Sequence, residues 1–140
     1  MSVKRRVVVT GLGIVSPLGN DLETTWSNLL QGTSGAARIT KFDASDFATT
    51  FAAELKDYDD ISGLTPKEKR RIDPFVQYAI TASDQAIKDA GINSDELDTT
   101  RIGVSIGSGI GGLGSIEDNA IILKEKGPKK ISPFFVPGAI

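Results

Sequence analysis

The stretch Arg101-Ile102-Gly103-Val104-Ser105-Ile106-Gly107-Ser108-Gly109-Ile110-Gly111-Gly112-Leu113-Gly114 reads as a short strand running into a glycine-rich loop. Side chains alternate across a strand, so Ile102, Val104 and Ile106 share one face while Gly103, Ser105 and Gly107 share the other. One face is branched and apolar; the other is nearly bare. A bare face admits the close approach of another backbone, and the glycines from Gly107 to Gly114 allow loop dihedrals that a Cβ disfavours. Ile110, set between Gly109 and Gly111, is a bulky apolar side chain on a permissive hinge. It is a candidate gate or pocket wall.

Working outward, 140 residues with 39% hydrophobic and 24% charged side chains have the size of one ordinary domain and the balance of a soluble globular protein. A net charge of −2 argues against a general nucleic-acid or membrane binder. No apolar run approaches the roughly 20 residues of a membrane span, and Lys4-Arg5-Arg6 leads into a short strand rather than a signal-peptide core. A cytoplasmic location is the expectation. The chain holds no cysteine and no histidine. Thiolate nucleophiles, Cys/His zinc sites and imidazole acids or bases are therefore outside its chemistry, and no metal or cofactor site is expected.

Val7-Val8-Val9 lacks polar alternation, as a strand buried on both faces does. Gly11, Gly13 and Ser16 then half-match a dinucleotide-binding fingerprint. Pro17 stands where the phosphate-binding helix should begin, so a tight turn below a buried strand is the competing reading. Asn20 with Glu23 has capping-box spacing, and Leu22, Trp26, Leu29 and Leu30 fall on one helical face ending at Gly32. That face is expected in the core. Phe42, Phe47 and Phe51 anchor an irregular stretch with a strand near Thr50 to Leu55.

Thr65-Pro66-Lys67-Glu68 is a helix start with an N-cap, a first-turn proline and an acid. Lys67, Lys69, Arg70 and Arg71 form a basic cluster, either a solvated face or a docking patch for an acidic partner. Asp73-Pro74 starts a second helix. It runs to Gly91 with Phe75, Ala79, Ala82, Ala86 and Ala90 along one stripe. Ser115 with Asp118 repeats the capping spacing, Ile116, Ala120 and Leu123 follow at helical intervals, and Gly127-Pro128 stops the run. Lys124, Lys126, Lys129 and Lys130 gather there. The sequence closes on the apolar run from Ile131 to Ile140, which leads us to expect a fragment or truncated chain.

Three ordered motifs carry a resemblance over the whole length: Val7-Val8-Val9-Thr10-Gly11-Leu12-Gly13 with Ser16-Pro17-Leu18-Gly19; Gly107-Ser108-Gly109-Ile110-Gly111-Gly112; and Ile131-Ser132-Pro133-Phe134-Phe135-Val136-Pro137. Together they resemble the start of the bacterial β-ketoacyl-acyl-carrier-protein synthases, with isoleucine at position 110 closer to the type II elongation enzymes than to type I. A polyketide-type ketosynthase and a nucleotide-binding α/β domain are the alternatives. The resemblance implies a thiolase-like layered α/β/α/β/α fold, of which residues 1–140 would be an incomplete N-terminal part, and a homodimer without cofactors. It implies a decarboxylative Claisen condensation in which a cysteine takes an acyl chain from acyl carrier protein and malonyl carrier protein supplies the carbanion. The family's cysteine and both histidines lie beyond the matching region, so the fragment alone is expected to be inactive. On the matching positions, the resemblance assigns Ile110 to the gate of the acyl pocket and Phe135 with Val136 to the dimer face and the partner's pocket. Lys67, Arg70 and Arg71 match the carrier-protein docking patch, with Lys129 and Lys130 as secondary candidates.

Overall fold

The computed structural model describes residues 4–58, 63–92 and 95–140. Its helices are α1 (Leu22–Leu30), α2 (Pro66–Lys69), α3 (Pro74–Asp89), α4 (Leu113–Lys126) and α5 (Phe135–Ala139), its strands β1 (Ala37–Arg38) and β2 (Phe51–Ala52). Single 3-10 turns cover Thr99–Arg101 and Pro128–Lys130. The chain divides into two units, Met1–Ile61 with Ala82–Leu97, and Ser62–Thr81 with Asp98–Ile140.

In the first unit, α1 is capped by Asp21 rather than by the expected Asn20. The Asp21 carboxylate accepts from the Thr24 amide and from the Thr24 hydroxyl, each at 2.8 Å, and these bonds hold it below the ordinary aspartate range. Asn20 is engaged elsewhere: its Nδ2 donates to the Lys56 carbonyl at 2.7 Å, and its own carbonyl accepts from Gln85 Nε2 at 2.8 Å. The expected core face of α1 is uncovered, with Trp26 57% and Leu30 70% exposed. Thr25 is buried instead, its hydroxyl donating to the Gly19 carbonyl at 3.0 Å and lying 3.1 Å from Ser16 Oγ. Amphipathic spacing marks a face that needs cover; it does not supply the cover. The strand expected near residue 50 is β2, paired antiparallel with β1 through Ala37 opposite Ala52 and Arg38 opposite Phe51.

The tightest packing of this unit is backbone on backbone. A Cβ on Gly11 would lie 2.6 Å from the Ala90 nitrogen, and one on Gly13 would lie 2.8 Å from the Ala86 nitrogen. The expected alanine stripe of α3 is thus the surface on which the two glycines rest. The amides between and beyond them are also spoken for: Leu12 N–H donates to Asp89 Oδ2 at 2.9 Å and Ile14 N–H to Gln85 Oε1 at 3.0 Å.

In the second unit, α2 carries the expected capping box. Thr65 Oγ1 accepts from the Glu68 amide at 3.3 Å, while Glu68 Oε2 accepts from the Thr65 amide at 2.8 Å. Gln77 of α3, one of its two buried residues, closes the far end of α2 by donating to the Lys69 carbonyl at 3.2 Å and the Ile72 carbonyl at 3.0 Å. Helix α4 begins at Leu113, two residues ahead of the expected Ser115 cap, and ends as expected at Gly127, whose φ is +79°. The apolar tail forms the short helix α5, with Gly138 and Ala139 buried.

Neither of the two expected short strands, at Val7–Val9 and at residues 102–106, pairs among the described residues. Val7 is 86% and Val104 84% exposed, and the segments around them belong to no ladder. A strand is defined by its neighbour; without one, an apolar run remains an extended segment with unpaired backbone groups. The surface is correspondingly large, 11281 Å², where a folded monomer of this mass has about 7,000 Å². Among the described residues, Ala44 and Ala139 are the apolar side chains that count as buried, at 8% and 6% exposed.

Candidate functional site

The glycine loop leaves the residue 102–106 segment and enters α4. Among the described residues, no neighbour lies within 4 Å of where a Cβ would stand on Gly107 or Gly109, whereas Gly111 has φ +75° and Gly112 is buried. Freedom therefore belongs to the first half of the loop and constraint to its exit. Ile110, 73% exposed, sits at the junction. Gly111 N–H donates to Ser108 Oγ at 3.0 Å and Gly112 N–H to the Ala139 carbonyl at 2.9 Å. Beside the loop's entry, Phe75, Val76, Ala79 and Ile80 of α3 face Ile106, Gly107 and Ile140 across an apolar groove of about 350 Å³. Ile110 lies outside its lining.

The basic residues fall on two short elements of the same unit. Lys67 and Arg70 are exposed on α2 and at its end, and Lys129 and Lys130 are exposed on the 3-10 turn after α4. Arg71 differs: its guanidinium carbon stands 4.5 Å from the centre of the Phe134 ring, a cation-π contact. That contact ties the end of the first basic element to the segment following the second. Glu68, within the first cluster, is held below the ordinary glutamate range, first by the Thr65 hydroxyl, then by the Thr65 amide, and less by nearby Arg71. Its negative charge offsets part of the patch.

Phe135 and Val136 are adjacent in α5 but differently placed. Phe135 is half-buried with Ile116, Ala120, Leu123 and Ile131 around an apolar groove of about 280 Å³, whereas Val136 is 57% exposed.

The first glycine cluster is not built for a phosphate. The faces of Gly11 and Gly13 are filled by α3, and the amides of Leu12 and Ile14 donate to side chains of the same helix. A phosphate loop needs those groups open and aimed at the ligand.

Sequence reasoning missed Asp73 as more than a local helix start. Its carboxylate oxygen Oδ2 accepts from the hydroxyl of Ser115 at 2.6 Å and from the Ser115 amide at 3.3 Å, 42 residues along the chain. Local spacing holds no signal for such a pair.

A family model described as Beta-ketoacyl synthase, N-terminal domain, matches residues 4–140. A 3-oxoacyl-[acyl-carrier-protein] synthase 2 of Coxiella burnetii is 53% identical over 137 residues, which cover 98% of this chain and 33% of the relative. A Beta-ketoacyl synthase crystal structure from Burkholderia phymatum superposes with a TM-score of 0.76 at 26% identity, covering 95% of this chain and 33% of that one. A type II PKS acyl-carrier protein in complex with its ketosynthase bound to the hexaketide contains a chain that superposes with a TM-score of 0.68 at 27% identity, covering 95% of this chain and 34% of that chain. The chain spans about a third of the length of these relatives. The thiolase-like architecture expected of it is the architecture of these neighbours, present in its N-terminal part, and on the match over residues 4–140 the chain belongs to the β-ketoacyl synthase family.

Proposed function

We propose that these 140 residues are the N-terminal part of a β-ketoacyl-acyl-carrier-protein synthase of fatty acid elongation. Such an enzyme condenses an acyl thioester with malonyl carrier protein, with loss of carbon dioxide. The observation that carries the reading is the glycine loop: an exposed Ile110 between glycines, free on its entry side and fixed at its exit. This is the build of a side chain that swings to admit an acyl chain. Identity of 53% to a synthase 2, against 27% to the polyketide neighbour, favours elongation over polyketide assembly.

The whole protein is proposed to act as a cytoplasmic homodimer and as an acyltransferase, with acyl and malonyl carrier proteins as partners. Phe135 and Val136 would lie toward the partner subunit, and Lys67, Arg70, Arg71, Lys129 and Lys130 would meet the acidic carrier. The nucleophilic thiolate and the imidazoles must come from sequence outside these residues, which hold neither cysteine nor histidine. The uncovered Val7–Val9 and 102–106 segments are then interior strands awaiting neighbours from the same source.

The test is to supply the full-length protein with acyl and malonyl carrier proteins and follow carbon dioxide release with formation of the β-ketoacyl product. Decarboxylative condensation, absent from residues 1–140 alone, supports the reading. Acyl donor consumed without a condensed product overturns it.

A further inference from the structure

Helix α4 starts with a deficit. Its N-cap is Gly112, with no side chain to meet the first-turn amides that every helix leaves unpaired. The acceptor arrives from the head of α3: Asp73 Oδ2 takes the Ser115 hydroxyl at 2.6 Å and the Ser115 amide at 3.3 Å. A carboxylate there also complements the positive end of α4.

The same aspartate is held by its backbone. Asp73 N–H donates to the Gly138 carbonyl at 2.9 Å, and Gly112 N–H donates to the neighbouring Ala139 carbonyl, also at 2.9 Å. The fit leaves no slack. A Cβ on Gly112 would stand 2.7 Å from Asp73 Oδ2 and 2.9 Å from the Ala139 Cα, and one on Gly138 would run into the Arg71 carbonyl. Residues 71–73, 111–115 and 138–139 thus form one clasp at the exit of the glycine loop, directly after Ile110.

We infer that Asp73 is a positioning residue for acyl-chain entry: by anchoring the loop exit it confines movement to the Gly107–Gly109 side and sets the cost of displacing Ile110. The inference rests on the reading of Ile110 as a gate. Asp73 touches neither substrate nor reacting atoms; it acts through Gly112 and Ser115. Removing its carboxylate frees the exit, lowers the cost of displacement, and favours long acyl donors, which need the gate open, over short ones.

The experiment measures kcat/KM for self-acylation of the full-length protein by long-chain and by four-carbon donors. Asp73→Ala should raise the long-to-short ratio by about two- to thirtyfold. Ser115→Ala, losing one bond, should raise it less, and Asp73→Asn, which keeps an acceptor, should restore part of the parent ratio. In an Ile110→Ala background, which has no gate left to displace, Asp73→Ala should leave the ratio unmoved. If Asp73→Ala does not fold, Ser115→Ala and Asp73→Asn decide alone. A parent-like or lowered ratio in folded variants overturns the inference when Ile110→Phe does alter the ratio. If Ile110→Phe leaves it unaltered as well, the gate reading has failed and takes the inference with it.

Discussion

Two glycine-rich stretches in this chain follow apolar runs, and they use glycine in opposite ways. At Gly11 and Gly13 the missing Cβ is space already taken, by the Ala82 to Ala90 stripe of α3. At Gly107 and Gly109 the missing Cβ leaves open space, and the backbone is held only further on, at Gly111 and Gly112. Glycine for closeness gives a rigid joint; glycine for freedom gives a hinge. Composition does not separate the two. What separates them is whether a helix lies on the bare face.

The sharpest way to break this contrast is to add one methyl group to each stretch of the full-length protein. In Gly13→Ala the new Cβ meets backbone atoms of α3, which cannot rotate away as a side chain would. The loss should reach the upper end of the roughly 1–3 kcal/mol typical of overpacking, or exceed it, and should appear as a lowered urea midpoint or absent soluble protein. Gly109→Ala, with no described residue at its Cβ position and no left-handed φ, should lower the midpoint less than Gly13→Ala does. Equal destabilisation by both would show that the second stretch is as closed as the first.

A bulkier gate tests the hinge by function. Ile110→Phe should lower acylation by long-chain donors by roughly five- to more than a hundredfold, the range that about 1–3 kcal/mol of overpacking spans. Two-carbon and four-carbon donors need less room and should lose far less. The parent's chain-length profile in the mutant would make Ile110 an ordinary exposed loop residue.

How much of this was legible in the sequence depends on how far each partner lies along the chain. The Thr65 capping box, the glycine stops at Gly91 and Gly127, and the alanine stripe of α3 were readable, because each is set by residues within a few positions. The cap of α4 was not. Ser115 and Asp118 carry the spacing of a local box, but Asp73, from another helix, takes the Ser115 amide, and the helix begins two residues earlier. Val7 to Val9 and residues 102–106 have strand composition without a strand's neighbour, and the α1 face at Trp26 has helical periodicity without a core to meet. Periodicity records what a segment is built to bury against. In the candidate site, position 110 stood out by its glycine flanks, whereas the clasp that fixes its loop is made by pairs too distant to leave a pattern.

The basic clusters give a smaller effect. Lys67 and Arg70 are exposed, so Lys67→Ala with Arg70→Ala should slow association with an acidic carrier protein several-fold to about tenfold at low salt, less as salt rises. Carrier-free thioester donors should be used as before. Arg71→Ala should differ, because its guanidinium packs on the Phe134 ring and that contact is lost with the side chain. It should cost stability as well as docking, and a urea midpoint equal to the parent's would place it with the other two.

The smallest effect separates the two ways in which the first glycine stretch is held. Gly11 and Gly13 lie on α3 by steric fit, but Gln85 also ties the segment down, accepting from the Ile14 amide at 3.0 Å and donating to the Asn20 carbonyl at 2.8 Å. Both bonds are partly buried and both are neutral, so Gln85→Ala should cost about 1 kcal/mol for each, set against water that can reach the freed groups. The side chain of Gln85 can be removed without pushing on the helix. If closeness rather than hydrogen bonding makes the joint, Gln85→Ala should lower the urea midpoint of the full-length protein visibly less than Gly13→Ala does. A loss as large as that of Gly13→Ala would move the origin of the rigid joint from the bare glycine faces to the amides between them. The two stretches would then differ in their hydrogen bonds rather than in what fills the space beside their glycines.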